Sequence, residues 1–128
     1  MRKIVPTPIC DVCDRLTIAQ LKYERLTEEE MPKELLQKQI DHYSDGIDEK
    51  DTILLTLIRA LRDANAAIWD AESDLRAGFE AKLGDTEIAK RAIAIRDLNR
   101  KRVAVKNAIC YHVGQPEFTD CKSNHLSA

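Results

Sequence analysis

Residues 51–82 read DTILLTLIRALRDANAAIWDAESDLRAGFEAK, and the expected architecture follows from them. Neither glycine nor proline occurs between Gly46 and Gly78, so no residue there favours a break in a helix. The apolar residues recur at alternating spacings of three and four, at Leu54, Leu57, Leu61, Ala64, Ile68, Ala71 and Leu75. This spacing predicts one long helix whose apolar stripe the rest of the chain must cover. Trp69, the only tryptophan, lies beside the stripe.

Three further helices are expected at residues 8–26, 32–44 and 86–112, where apolar residues again recur at helical spacing. Gly84 is suited to end the long helix, because glycine tolerates the left-handed backbone. A short turn there makes the two long helices antiparallel neighbours. We therefore predict an all-α single domain over residues 1–128. It consists of a long, coiled-coil-like antiparallel hairpin, two shorter N-terminal helices packed against it as a bundle, and a tail at 114–128 with weak local structure.

The composition suits one packed helical domain. A chain of 128 residues can bury one core, and its 33% charged and 5% aromatic residues fit helices better than a sheet. The formal net charge of -2 gives no overall attraction to nucleic acid or to an anionic membrane. We find no secretory signal and no apolar span of membrane length, and we therefore expect a cytoplasmic protein without disulfides.

Polar residues interrupt the facing stripes of the two long helices at matching heights. Counting outward from the turn brings Asn65 level with about Arg102 or Val103, and Glu72 level with about Arg96, with Asn99 about one turn away. A buried charge without a partner is costly, so these side chains should pair across the seam. Either they form a structural network that sets the register of the helices, or they line a pocket for a small anion or polar ligand. The candidate ligand-binding residues are Asn65, Glu72, Asn99, Arg102 and Lys106.

The first helix and the segment after it carry two further local signals. Asp14 lies at the edge of the apolar stripe of the first helix, and there we expect its carboxylate to meet solvent. Thr27 and Glu30 have the spacing of a capping box, in which each side chain accepts a hydrogen bond from the other's backbone amide.

The cysteines allow two interpretations. Cys10 and Cys13 form a CxxC pair, and with Cys110, Cys121 and nearby histidines they supply enough soft ligands for a zinc site if the helix ends converge. Alternatively, Cys13 and Cys110 are small buried apolar residues, a role that free cysteine often takes. The candidate metal ligands are Cys10, Cys13, Cys110 and Cys121, and no other cofactor is expected.

Two other activities find weaker support in the residues. Glutamates are numerous, but they lack the spacings with which all-helical nucleotide pyrophosphohydrolases hold magnesium. The fourth helix is basic and could meet phosphates, but its charges are spread around the helix and no aromatic residues accompany them for stacking. Nucleic-acid binding is therefore an alternative and not the leading expectation.

Three segments of the chain carry a resemblance: the run from Asp14 to Glu24, the run from Asn65 to Arg76 around Trp69, and the run from Ile88 to Arg102. Together they resemble an uncharacterised, all-helical domain family of bacteria and bacteriophages. The resemblance covers about residues 9–110 and implies an all-helical fold with a shared polar cluster, but no reaction. Where that family favours Gly-Glu-Leu before its Asp-Arg-Leu step, this chain has Cys10 to Cys13.

The function expected from these observations is a non-enzymatic interaction module. A long hairpin exposes apolar surface at its far end, so we expect a homo-oligomer, most simply a dimer, that binds a protein partner and no membrane. The alternative is a domain that binds a small anion or nucleotide-like ligand, with or without catalysis, in the polar cluster between the long helices. We assign no catalytic residue.

Overall fold

The computed structural model describes residues 6–120, which form four α-helices packed together and one short 3₁₀ helix. Helix α1 spans Ile9–Arg25, α2 spans Lys33–Ser44, α3 spans Thr52–Glu80 and α4 spans Asp85–His112, while the 3₁₀ helix spans Pro116–Phe118. No strand occurs within this described part of the chain. The prediction of an all-helical fold is confirmed.

The side chain of Asp51 caps the first turn of α3 and also contacts α4. The Asp51 carboxylate accepts a hydrogen bond from the Leu54 amide at 3.0 Å, which satisfies one free donor of the first turn. The same carboxylate lies 2.7 Å from Nε2 of His112, in the last turn of α4. The backbone hydrogen bond from Leu54, together with the bond to His112, lowers the pKa of Asp51.

Helices α3 and α4 pack against each other at both ends. Besides the contact between Asp51 and His112, Nη1 of Arg91 near the start of α4 donates to the Asp74 carbonyl of α3 at 2.6 Å. Gly78 is buried beside the side chains of Ile88 and Arg91, where an added Cβ would come within 3.1 Å of Ile88. The small residue therefore lets the two helices approach closely.

In the turn between α3 and α4, the residue that adopts the left-handed conformation is not the predicted Gly84. Lys82 has a φ of 55°, and the following Leu83 amide donates to the Gly78 carbonyl at 3.0 Å, as in a Schellman motif. Gly84 has a φ of -65° and is the N-cap of α4. Periodicity locates a helix end to within a few residues, but it does not say which residue takes the special backbone conformation.

Helix α1 is the most thoroughly buried helix, although α3 was expected to organise the packing. Seven of its 17 residues are buried, against five of 29 in α3, and α1 contacts each of the other three helices. Its buried side chains are Cys10, Cys13, Asp14, Leu16, Thr17, Ala19 and Leu21. A short helix in contact with three neighbours has little surface left for water, whereas a long helix must extend beyond them.

The part of α3 and α4 nearest their turn is largely exposed. Between residues 76 and 101, Gly78 is the only residue that is buried. Phe79 is 60% exposed, Ile93 47% and Leu83 36%. The described chain thus has a packed end around α1 and an exposed end around the turn.

The connections on either side of the helices are held by specific hydrogen bonds. The Thr27 amide donates to Glu30 and the Glu30 amide donates to Thr27, as expected for a capping box, although this box closes a turn ahead of α2. Beyond α4, the Gln115 side chain accepts from the Ile9 amide at 2.9 Å, and Asn107 exchanges two hydrogen bonds with the Asp120 backbone. Residues 114–120 are therefore more ordered than the weak local structure expected for the tail, and residues 121–128 lie outside the described chain.

Among the helices of residues 6–120, none is both long enough and apolar enough to span a bilayer.

Candidate functional site

A buried ion pair between α1 and α4 is the centre of the candidate site. Asp14 is only 7% exposed, which contradicts the expectation that its carboxylate meets solvent. The Arg102 guanidinium binds it in a bidentate manner, with Nε 3.2 Å from Oδ1 and Nη2 2.6 Å from Oδ2. Two parallel bonds to a charged acceptor are the strongest arrangement that arginine makes, and they orient both groups.

Asn65 of α3 joins this pair from a third helix. Its Nδ2 donates to Oδ1 of Asp14 and to Oγ1 of Thr17, both at 2.9 Å. The Thr17 hydroxyl, which is fully buried, donates in turn to the Asp14 carbonyl at 2.8 Å. Within the described residues no buried side-chain nitrogen or oxygen is left without a hydrogen bond. A buried network in which every polar atom is paired avoids the desolvation cost of an unpaired polar group.

The surroundings keep Asp14 ionised. Burial acts to raise the pKa of its carboxyl, but the hydrogen bonds from Arg102 and Asn65 outweigh burial and lower the pKa below its ordinary value of 3.8. The positive charges of Arg102 and Lys106 act in the same direction. A negative charge is thus held permanently inside the helical packing at neutral pH.

The remaining positive groups near this pair also have partners. Nη1 of Arg102 donates to Oδ1 of Asn99 at 3.2 Å. Nζ of Lys106 lies 3.0 Å from Oδ1 of Asp11, one turn of α1 ahead of Asp14. The charges of Arg102 and Lys106 are therefore already compensated by the two aspartates of α1.

A cavity of about 360 Å³ adjoins the network between α1, α3 and α4, and we name it the α1–α3–α4 cavity. The apolar part of its lining is Ile18, Leu21, Ile68 and Trp69. The Arg25 guanidinium lies 5.6 Å from the centroid of the Trp69 ring, and Nη1 of Arg25 is 2.7 Å from Asp70. The indole is thus held beside the cavity by a cation and an apolar neighbourhood.

The polar part of the lining contains two charged groups without partners. This part is formed by Lys22, Asn65, Glu72, Asn99 and Arg102. Within residues 6–120, neither the Lys22 ammonium nor the Glu72 carboxylate forms a hydrogen bond or an ion pair. The cavity therefore combines a hydrogen-bonded network on one side with one cation and one anion that have no ion-pair partner in the described part of the chain.

Four of the five predicted ligand-binding residues line this one cavity. Asn65, Asn99 and Arg102 belong to one hydrogen-bonded network, while Glu72 lines the cavity without joining them. Asn65 and Arg102 do not bind each other directly as expected, because Asp14 lies between them. Lys106 lines a second cavity instead, of about 250 Å³, together with Arg102.

Asp14 and Thr17 are the site residues that sequence reasoning missed. The signal was present, because Cys10, Asp14, Thr17 and Leu21 recur at spacings of four, three and four along α1. That spacing puts both polar residues on one face with two apolar residues. Considering the polar residues of a buried face as candidates for the site would have found them.

Three of the four predicted metal ligands are buried thiols. Cys10, Cys13 and Cys110 are all buried, and burial raises the pKa of Cys10 and of Cys13 to about 12. Such thiols are protonated near neutral pH, and the thiolate is the form that binds metal or attacks an electrophile. Among residues 6–120, no group of three or more histidine, cysteine or acidic side chains is placed to hold a metal ion. Cys121, the fourth predicted ligand, lies outside the described residues.

Comparison with known proteins gives no relative from which a role could be transferred. No protein-family model, no curated protein and no solved structure matches this chain. The function must therefore be argued from the site itself.

Proposed function

We propose that this protein binds a small polar molecule in the α1–α3–α4 cavity. The observation that carries the proposal is the composition of that lining: Trp69 and three aliphatic side chains on one part, and the unpaired Lys22 and Glu72 beside a rigid network on the other. A volume of about 360 Å³ lies in the range of small-molecule sites. Ligand pockets combine an apolar lining with a few placed polar groups in the same way.

The buried network supports this proposal because it positions donors at the edge of the cavity. Nε, Nη1 and Nη2 of Arg102 each donate one hydrogen bond, so each terminal nitrogen keeps one further hydrogen for a ligand. Oδ1 of Asn99 accepts from Arg102, which leaves its amide hydrogens available. Side chains locked by their own partners can meet a ligand without losing further conformational freedom.

The alternative role of the network is to set the register of the helices, and that role involves neither Lys22 nor Glu72. Asp14, Asn65 and Arg102 connect α1, α3 and α4 without any contribution from Lys22 or Glu72. We infer binding without catalysis, since the Thr17 hydroxyl is buried and already donates to a backbone carbonyl.

The test uses Trp69 as the reporter. We expect at least one member of a panel containing free amino acids, nucleoside monophosphates, dicarboxylates and inorganic phosphate to change Trp69 fluorescence and raise the melting temperature. At a ligand concentration 100 times Kd the free energy of unfolding should rise by about 2.7 kcal/mol. Glu72→Gln and Lys22→Gln should lose part of this response while folding normally, because neither side chain has a partner among residues 6–120.

Two control variants remove a charge of the same kind from a helix position outside the cavity. Glu80 of α3 and Lys101 of α4 are exposed and do not line the cavity, so Glu80→Gln and Lys101→Gln should respond as the wild type does. A wild-type protein whose fluorescence and melting temperature stay constant across the whole panel would overturn the proposal.

A second candidate function is self-association through the exposed end of the antiparallel hairpin that we propose for α3 and α4. It is favoured by Phe79 near the end of α3, Leu83 in the turn and Ile93 in the first half of α4, which are all exposed. Large apolar side chains gathered on one surface are typical of an interface. A C2 dimer would bury the same residues of both copies.

Sedimentation velocity tests the second candidate. We expect the wild type to sediment as a dimer, and Phe79→Ser with Ile93→Ser to sediment as a monomer of unchanged helicity. Ile53→Ser is the matched control, because Ile53 is 59% exposed but lies at the opposite end of α3. A monomeric wild type at all concentrations would exclude this candidate.

A further inference from the structure

The charges that line the α1–α3–α4 cavity indicate the chemical class of its ligand, if the proposed function holds. Asp14 compensates Arg102, and Asp11 compensates Lys106, so neither Arg102 nor Lys106 offers an unpaired charge. The unpaired groups are the Lys22 ammonium of α1 and the Glu72 carboxylate of α3. Their charges are opposite and sum to zero.

We propose that the ligand is a small zwitterion, an α-amino acid or a close analogue with an apolar side chain. Its carboxylate would meet Lys22 and the remaining hydrogens of Arg102 and Asn99, and its ammonium would meet Glu72. Each unpaired charge of the cavity then gains an opposite charge, which electrostatic complementarity requires of a specific ligand.

An anion alone matches this lining less well. A phosphate or a simple carboxylate could pair with the Lys22 ammonium, but it would lie beside the Glu72 carboxylate, and like charges in one site repel. A simple amine could pair with the Glu72 carboxylate but would be repelled by the Lys22 ammonium. Only a ligand that carries both charges satisfies both groups.

Lys22 and Glu72 line the same cavity without forming an ion pair with each other. If they were close enough to pair, they would neutralise each other and leave the cavity without any need for a charged ligand. Because they do not pair with each other, both charges can contact a ligand in the cavity.

The apolar lining indicates what side chain the ligand carries, besides its carboxylate and its ammonium. Ile18, Leu21, Ile68 and Trp69 form one side of the cavity, and Trp69 offers an indole on which an aliphatic or aromatic group can pack. An amino acid with a large apolar side chain has the matching division between a charged end and an apolar end. A glycine-sized zwitterion would leave this surface unfilled.

A set of matched probes tests the inference by isothermal titration calorimetry on the full chain. L-phenylalanine carries both charges, phenethylamine lacks the carboxylate, and 3-phenylpropionate lacks the ammonium. We expect L-phenylalanine to bind at least about tenfold more tightly than either analogue, since a charge-assisted hydrogen bond contributes roughly that factor or more.

Two charge-removing variants locate the contacts. Glu72→Gln should weaken the binding of L-phenylalanine by about tenfold. The same variant should bind 3-phenylpropionate as tightly as the wild type does, or more tightly. Lys22→Gln should weaken the binding of L-phenylalanine to a similar extent. Its affinity for phenethylamine should be unchanged or higher. Glu80→Gln and Lys101→Gln should not change the order of the three probes.

The outcomes separate this inference from the proposed function. If L-phenylalanine and 3-phenylpropionate bind equally, or if a phosphate-containing compound binds and the amino acids do not, the zwitterion assignment is wrong while a ligand site remains. If neither these probes nor the wider panel binds, both proposals fail.

Discussion

At the scale of the residue, Asp14 links three helices through one carboxylate. Arg102 reaches it across 88 positions of the sequence, and Asn65 across 51. Removing an ion takes away more than a contact, because its partner is then left desolvated and unpaired. The side chain of Arg102 is 25% exposed and can recover part of that loss by solvation. Asp14 should therefore be the most sensitive polar residue of the described chain.

We expect Asp14→Ala to lower the free energy of unfolding by about 2–3 kcal/mol, somewhat less than breaking a fully buried pair costs. Arg102→Met should cost a similar amount, because it leaves the Asp14 carboxylate without its cation. The double variant Asp14→Leu with Arg102→Met should cost clearly less than the sum, since no uncompensated charge remains. Urea unfolding of the three variants measures these values, and additive costs would show that the pair is not coupled.

At the scale of the element, the ends of the long helices differ in how well their residues suit the backbone. Both α3 and α4 end with one residue in the left-handed conformation, followed by an amide that bonds back into the last turn. After α4 this residue is Gly114, with a φ of 76°, whereas after α3 it is Lys82, with a φ of 55°. A side chain is unfavourable in that conformation, and glycine is not.

Lys82→Gly should therefore raise the free energy of unfolding by about 0.5–1 kcal/mol. Glycine removes the strain of the left-handed backbone from the folded chain, but it also makes the unfolded chain more flexible, which offsets part of that gain. The opposite substitution provides the control: Gly114→Ala should lower it by about 1–2 kcal/mol, although an added Cβ there meets open space. Thermal and urea unfolding measure both. A destabilised Lys82→Gly protein would contradict the assignment of strain at this turn.

At the scale of the whole molecule, stability should depend on acid through carboxyl groups whose pKa values are lowered by folding. Hydrogen bonds and charges lower the pKa of Asp14, and hydrogen bonds also lower the pKa values of Asp51 and Glu30. Below the ordinary pKa of each group, the unfolded chain binds protons that the folded chain does not. Stability therefore rises with pH in that window and is lost as pH falls through the folded pKa values.

We expect the wild-type urea midpoint to be constant from neutral pH to about pH 5 and to fall steadily below about pH 4. Asp14→Asn should be less stable at neutral pH and should show a shallower fall, because Asp51 and Glu30 still contribute. Circular dichroism at a series of pH values measures the midpoints. Equal slopes in the two proteins would mean that Asp14 does not titrate differently in the folded and unfolded states.

The all-helical class could be predicted from the sequence because it rests on local physics. Apolar spacing and the position of glycine and proline act over a few residues, so residues 51–82 indicate a helix whatever surrounds them. The helical rise is constant, and counting from one turn therefore placed Asn65 near the height of Arg102. Both residues do belong to one network in the structure.

Only the tertiary packing decided that Asp14 joins Asn65 to Arg102. Periodicity describes α1 as a helix but does not say how it docks, and that docking brings Asp14 between Asn65 and Arg102 and buries it. The same packing compensates the charge of Arg102 and places Lys22 and Glu72, which have no partner among residues 6–120, along one cavity. Charge compensation depends on distances across the chain, and a one-dimensional pattern contains spacings along a helix but no distances between helices.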